Sequence, residues 1–221
     1  MHARHGRHHH GERTVARRGA HRGAARRSGR RRRQWARSRS AAGLAPDVVV
    51  GDLDSVSPEG AAWAHEHGEV RSSPTDKATT DTELAIEVAL SYGPRRLIVI
   101  GGPDGTRLDH TLAALGALGQ PSTDVVDVVE AWWGGTYVRV VRPSDAVTFA
   151  DVEPGRTFSV LALHGGATGV TVTGARWPLD AVELPPLSGW GVSNVAAAPP
   201  PVTVAVEHGV LTVIVPPGEP T

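Results

Sequence analysis

From Asp47 onward the apolar residues recur in short blocks, and the spacing within the blocks alternates between two periods. Asp47-Val48-Val49-Val50 is a β-branched run that ends at Gly51, the pattern of a buried strand. Ser57-Pro58-Glu59 opens a helix, with proline in its first turn and Ala62 and Trp63 among its apolar positions. A loop follows through Ser72-Ser73-Pro74. Thr80-Asp81-Thr82-Glu83 starts a second helix; Leu84, Ile86, Val88, Ala89 and Leu90 form its apolar face, and Gly93-Pro94 stops it. Leu97 to Ile100 is the clearest strand of the chain and enters Gly101-Gly102, and a further helix runs from about Asp109 to Leu118. Strand and helix in alternation predict a parallel α/β layer, with its binding site at the carboxyl ends of the strands. Gly51-Asp52 and Gly101-Gly102 both fall at such ends.

After about Gly135 the helical period disappears. Tyr137 to Val141, Ala146 to Phe149, Thr157 to Leu163, Gly169 to Thr173, Val202 to Val206 and Val210 to Val215 read as short strands with turn residues between them. That spacing predicts an all-β sandwich. The expected organisation is an α/β nucleotide domain over 42–138 and a β-sandwich over 139–221, behind a separate segment 1–41.

Charge sharpens the division. The 23 basic and 23 acidic residues balance only on average. Residues 1–40 hold 14 arginines and one acid, Glu12, so the remainder carries 9 basic and 22 acidic groups. Beyond Met1, the large apolar side chains of the basic segment are Val15 and Trp35. A segment of this kind cannot offset its ordering entropy and is expected to be disordered. A nucleic-acid arm is one reading, since arginine runs such as Arg30 to Arg33 neutralise phosphates. A tail without a dedicated role is a second, and the preferred reading is an out-of-frame or mis-started N-terminus, because Arg-, Gly- and Ala-rich composition is what a GC-rich gene yields in a wrong frame. The chain has no cysteine, which excludes disulfides and thiolate metal sites and suits a cytoplasmic protein. No apolar run reaches the roughly 18 residues of a membrane span.

Three loops carry candidate chemistry. In Gly51-Asp52-Leu53-Asp54-Ser55 two carboxylates at i and i+2 follow a strand and can face one cation. Mg²⁺ favours such hard oxygens, although a turn capped by aspartate has the same sequence. Asp76-Lys77 and Thr80-Asp81 stand at the mouth of a helix, where N–H groups attract phosphate; ordinary N-capping is the plainer account. Lys77 is the chain's only lysine. In Gly105-Thr106-Arg107-Leu108-Asp109-His110 the guanidinium offers a planar fork to phosphate oxygens, Asp109 adds a carboxylate or a cap, and His110 reads as structural.

Taken together, Gly51 to Ser55, Asp76 to Glu83 and Arg107 to Leu112 resemble the signature of the thiamine pyrophosphokinase family. Thr173-Gly174-Ala175-Arg176-Trp177-Pro178-Leu179 and Gly191-Val192-Ser193-Asn194 look like that family's sandwich motifs, and Gly209 to Ile214 like its final strand. The resemblance covers residues from about 42 to the end. It implies a two-fold dimer that uses ATP and Mg²⁺ and binds thiamine between the α/β domain of one subunit and the sandwich of the other. It further implies that Asp52, Asp54 and Asp81 hold the metal, with Asp109 as a further catalytic carboxylate. Ser55, Lys77, Thr80 and Arg107 would meet the nucleotide. Trp177 would be the platform for the thiamine pyrimidine, with Ser193 and Asn194 supplying polar contacts; a core or interface tryptophan is the alternative.

The chain departs from the family upstream of Gly43-Leu44-Ala45-Pro46-Asp47. The family has a strand and an Asp-Gly-Gly loop there, and this sequence has Arg30 to Arg33, Gln34 and Trp35. Loss of that strand implies impaired activity and poor stability.

Overall fold

The computed structural model describes residues 46–51, 58–72, 79–101, 107–143, 146–197 and 201–218. The Arg-rich segment, Asp52, Asp54, Ser55 and Lys77 lie outside these. The chain divides into two compact units, residues 1–75 and 76–221.

The first unit contains β1 (Val48–Gly51), α1 (Pro58–His67) and β2 (Glu69–Ser72). β1 and β2 pair in parallel, from Val48 opposite Glu69 to Gly51 opposite Ser72, so the three elements form a βαβ turn. The sequence reading places a loop through Ser72-Ser73-Pro74; Glu69–Ser72 instead adds a strand. Its four residues, Glu-Val-Arg-Ser, lack an apolar alternation. The strand exists because β1 supplies its hydrogen bonds.

The second unit begins with α2 (Asp81–Leu90), β3 (Arg96–Ile100), α3 (Leu108–Leu118) and β4 (Val128–Trp133). Nine further segments follow: β5 (Thr136–Val141), β6 (Val147–Phe149), β7 (Thr157–Leu161), β8 (Ala167–Thr173), β9 (Leu179–Leu184), a short 3₁₀ turn (Gly189–Gly191), β10 (Asn194–Val195), β11 (Val202–Ala205) and β12 (Leu211–Val215). The described structure is thus sheet-rich, with three α-helices, each starting within a residue of where the sequence predicts; the second stops at Leu90, ahead of Gly93-Pro94.

One six-stranded sheet, in the order β10-β7-β12-β5-β4-β3, joins the helical part to the β part. β3 and β4 run parallel, and β4 then turns back into β5. Gly134 (φ 56°) and Gly135 (φ 85°) make that turn. Two successive positive φ values are those of a type I′ hairpin loop, which glycine supplies without a clash. β6-β11-β8-β9 form a second, antiparallel sheet.

Alternation along the central strands explains the layers. Leu211, Val213 and Val215 of β12, with Val141 of β5, face a core shared with Phe158, Val170, Val172, Leu184, Val202 and Val204. On the opposite face Val138 and Val140 join Leu97, Val129 and Ala131 beneath Ile86, Ala117 and Leu118 of the two helices. β5 and β12 are therefore covered on both sides, which is why they read as nearly continuous apolar runs.

The paired tryptophans of β4, which motif reading leaves without a role, point to opposite faces. Trp133 packs in the helix-side core. Trp132 is half exposed and meets Tyr137 across the hairpin, with ring centroids 4.8 Å apart. Glu130, two residues before Trp132 and on its face of the strand, is buried because its neighbours satisfy it: Arg96 Nη2 donates to it at 2.6 Å and the Tyr137 hydroxyl at 2.9 Å. Burial, followed by that bond, pushes the Tyr137 phenol up to about 12.

Candidate active site

The described candidates form two groups. The first stands at the starts of α2 and α3. Thr80 is the N-cap of α2: its hydroxyl accepts from the Glu83 N–H at 3.2 Å and donates to Glu83 Oε2 at 2.9 Å. The Thr80 N–H donates to the same carboxylate at 2.8 Å. This reciprocal box satisfies helix-end donors and fixes how the chain enters α2. It also holds the Glu83 carboxyl below its usual range, the Thr80 backbone bond being the largest cause. Asp81, first residue of the helix, is exposed, and its carboxylate stands where the helix end favours negative charge.

Arg107 occupies the position before α3, and its guanidinium turns onto Asp109. Arg107 Nε donates to Oδ1 at 2.9 Å and Nη2 to Oδ2 at 2.5 Å. Both side chains are exposed. The bond to Arg107 pulls the Asp109 carboxyl far below the ordinary carboxylate range and raises the guanidinium in turn. Asp109 is therefore ionised throughout the neutral range, and the two groups named for phosphate and metal are each other's partners here. His110 is exposed at the first turn of α3.

The second group lies on the β part, where Trp177 and Asn194 meet across 17 residues of sequence. Asn194, buried on β10, receives the Trp177 N–H on Oδ1 at 3.2 Å and gives Nδ2–H to the Trp177 carbonyl at 2.7 Å. The Val195 N–H also donates to Oδ1, at 2.8 Å. The amide oxygen is thus fully used by backbone, and Asn194 acts on Trp177 as a clamp. Pro178 restricts the tryptophan backbone from the other side. The indole itself is 53 % exposed. Ser193 is exposed with φ 58°, and its N–H donates to the Ser159 hydroxyl at 3.1 Å. A non-glycine residue in that conformation is held by its surroundings.

Two residues that stand inside the motifs but receive no role there belong to these groups. Glu83 completes the cap of α2; a threonine followed three residues later by glutamate is a readable signal for it. Arg176 places its guanidinium carbon 5.0 Å from the centre of the Trp177 ring, a contact suggested only by adjacency in sequence. A cavity of about 1340 Å³ opens elsewhere, among Arg96, Trp132, Tyr137, Phe149 and Arg156, and none of the described candidate residues lines it.

Comparison with known proteins gives this arrangement a class. The profile of the thiamin pyrophosphokinase catalytic domain matches residues 12–129, and that of the thiamin pyrophosphokinase vitamin B1 binding domain matches residues 146–211. Helix-start carboxylates fall in the first match and the Trp177–Asn194 pair in the second, which defines a diphosphotransferase with a catalytic and a vitamin-binding part. The catalytic match alone covers more than half of the chain: the protein belongs to the thiamin pyrophosphokinase family. That match begins at residue 12, so it takes in part of the Arg-rich segment that the motif argument sets outside the family. No curated protein is significantly similar to the chain in sequence.

Solved structures agree in fold. A thiamine pyrophosphokinase from Bacillus subtilis superposes with a TM-score of 0.67 at 21% identity, over 81% of this chain and 82% of that one. A thiamin pyrophosphokinase family protein from Enterococcus faecalis gives 0.69 at 23% identity, over 83% and 85%. Thiamin pyrophosphokinase from Candida albicans gives 0.64 at 16% identity, over 78% and 74%.

Proposed function

We propose that the chain transfers the pyrophosphoryl group of ATP to the hydroxyl of thiamine, giving thiamine diphosphate and AMP. The observation that carries this reading is the succession, on one chain, of a catalytic-domain match and a vitamin-B1-binding match, with an exposed, backbone-clamped tryptophan inside the second. The thiamine oxygen attacks the β-phosphorus of ATP, and the bond from that phosphorus to the oxygen retained by AMP breaks. Such transfers need placement and charge neutralisation more than covalent help. Arg107 and Lys77 offset phosphate charge, Ser55 and Thr80 line the nucleotide, and Trp177 with Ser193 receives the vitamin.

The proposed donors suit Mg²⁺. Asp52, Asp54, Asp81 and Asp109 are hard oxygen ligands, Asp109 is held ionised by Arg107, and Asp81 is exposed at a helix start. Among the described residues no three His, Cys, Asp or Glu side chains stand together as a metal site. An ion held by these carboxylates would neutralise charge on the phosphate oxygens. The division into a catalytic part to about residue 138 and a vitamin part from 139 falls in the interval between the two matches. A two-fold dimer with its sites between subunits, acting in the cytoplasm, completes the reading. No described helix is long and apolar enough to cross a membrane. The nucleic-acid reading of the Arg-rich segment finds no support in the comparisons.

The test is direct. The full chain, given ATP and Mg²⁺, should release AMP and form thiamine diphosphate in equal amounts when thiamine is added. Turnover is expected to be slow, because no Asp-Gly-Gly loop precedes the first motif. Release of ADP in place of AMP, or AMP release indifferent to thiamine, overturns the assignment.

A further inference from the structure

Trp177 is an unusual surface tryptophan in that its backbone is fixed and one face of its ring is already taken. The Asn194 amide holds both its N–H and its carbonyl, and the preceding Arg176 N–H donates to the Val195 carbonyl at 2.8 Å. Ala197 N–H reaches the Gly174 carbonyl at 2.8 Å, so the whole Gly174–Trp177 segment is stitched to 194–197. On this rigid strip the Arg176 guanidinium sits over the indole at 5.0 Å, and about half of the side chain stays open to solvent. A flat ligand therefore has one indole face available to it.

That face is not neutral ground. A cation over one side of an indole draws π-electron density towards itself and weakens the attraction of the other side for a second cation. It also repels that second cation directly across the ring, an effect of about two- to tenfold in binding at such separations. A neutral ring escapes the cation–cation repulsion and still gains the stacking contact. Thiamine carries one ring of each kind, a neutral aminopyrimidine and a cationic thiazolium. We propose that Arg176 is a specificity-determining residue: it covers one face of Trp177 and biases the other towards the neutral aminopyrimidine and away from the thiazolium. Arg176 acts through Trp177 and is a positioning residue. This inference rests on the thiamine reading above, in which Trp177 receives the pyrimidine, and adds the part that Arg176 plays in that choice.

Two fragments separate the rings: 4-amino-2-methylpyrimidine and an N-methylthiazolium salt, each used as a competitor of thiamine in the AMP-release assay with the full chain. In the unsubstituted protein the pyrimidine should be the stronger inhibitor. Arg176→Gln, at an exposed position, should strengthen inhibition by the thiazolium about threefold or more while changing that by the pyrimidine less than twofold. Arg176→Lys, which keeps the charge, should return the ratio towards that of the unsubstituted chain. An unchanged ratio in Arg176→Gln, or a thiazolium that is the better inhibitor of the unsubstituted protein, overturns the proposal with the enzymatic assignment intact. Absence of thiamine-dependent AMP release strikes the underlying reading instead.

Discussion

Arg107 and Asp109 grip each other side-on at 2.9 and 2.5 Å, so the fork proposed for phosphate is closed on a carboxylate in the first turn of α3. A triphosphate that engages Arg107 must compete with that carboxylate, and the displaced Asp109 remains charged and free to meet a cation. Exchange of partners couples the two roles. Arg107→Ala should lower kcat/KM for ATP by about 100-fold, with Arg107→Lys recovering little because an ammonium lacks the planar fork. In Arg107→Ala the Asp109 carboxyl should titrate back up towards the ordinary aspartate range, since the bond that lowers it is gone. Initial rates against ATP and carboxyl carbon shifts followed with pH check both outcomes.

Thr80 and Glu83 satisfy each other at the start of α2, and the helix start places Asp81. Removing the hydroxyl in Thr80→Ala should cost about 1 kcal/mol of stability, and Thr80→Ser should retain most of it. The sign of the pH dependence follows from Glu83. Its folded pKa lies below the unfolded one, so its contribution is present above the usual glutamate range and is lost as pH falls through the folded value. The stability difference between the unsubstituted chain and Glu83→Gln should accordingly be full at neutral pH and shrink in acid. Urea unfolding at several pH values measures it.

Asp81 offers a sharper test of chemistry, because an exposed first-turn carboxylate has little packing to lose. Asp81→Asn should leave urea unfolding within about 0.5 kcal/mol of the unsubstituted protein, as exposed substitutions do. Turnover should fall by about 100-fold or more if the carboxylate helps to hold Mg²⁺ against the phosphates. Near-parental turnover at saturating Mg²⁺ removes Asp81 from the metal set.

How far these sites could be read in advance depended on the range of the interactions that make them. The cap of α2 is written within four residues, Thr80 to Glu83, and the helix is found where the local pattern places it. Leu97–Ile100 announces β3 by composition alone. β4 does not announce itself, because Glu130 interrupts its apolar run and is made tolerable by Arg96 and Tyr137 on neighbouring strands. β9 (Leu179–Leu184) is likewise missed: only Leu179 and Leu184 are buried, and the strand leans on β8 through a shifted register. At the candidate site Trp177 and Asn194 are visible as motif residues, yet the clamp between them spans 17 positions and needs the Ala175–Ala196 bridge to bring it together.

The clamp makes a prediction of its own. Trp177→Ala removes the ring and should raise KM for thiamine about tenfold or more with KM for ATP unchanged, in keeping with about 1–3 kcal/mol for an aromatic stack. Asn194→Asp keeps the shape but sets a carboxylate oxygen against the Trp177 carbonyl, and it should move the thiamine KM in the same direction. An Asn194→Asp protein with unaltered KM for thiamine would show that the tryptophan needs no such hold.

His164 joins the end of α3 to the β part, and its protonation state should set an acid limit on stability. Gly119, the residue after α3, packs so closely on the imidazole that a Cβ there would overlap the ring. The ring shares a hydrogen bond of 3.3 Å with the hydroxyl of Thr212, which is fully buried. Burial, and then the nearby positive charge of Arg142, lower the histidine below its ordinary value. Arg142 is itself fixed there, with Nε on Asp124 at 2.7 Å and Nη2 on the Thr123 hydroxyl at 2.5 Å. The unfolded chain therefore takes up a proton at His164 at a higher pH than the folded one. Its contribution is whole above the unfolded value of about 6.5 and is lost as pH falls from there towards the lower folded value. Urea unfolding at pH 7.5, 6.5 and 5.5 should show the unsubstituted protein losing more stability than His164→Gln over that interval, whatever their difference at pH 7.5. Equal slopes would mean that the imidazole can charge in place, and that the Gly119 contact yields to let it.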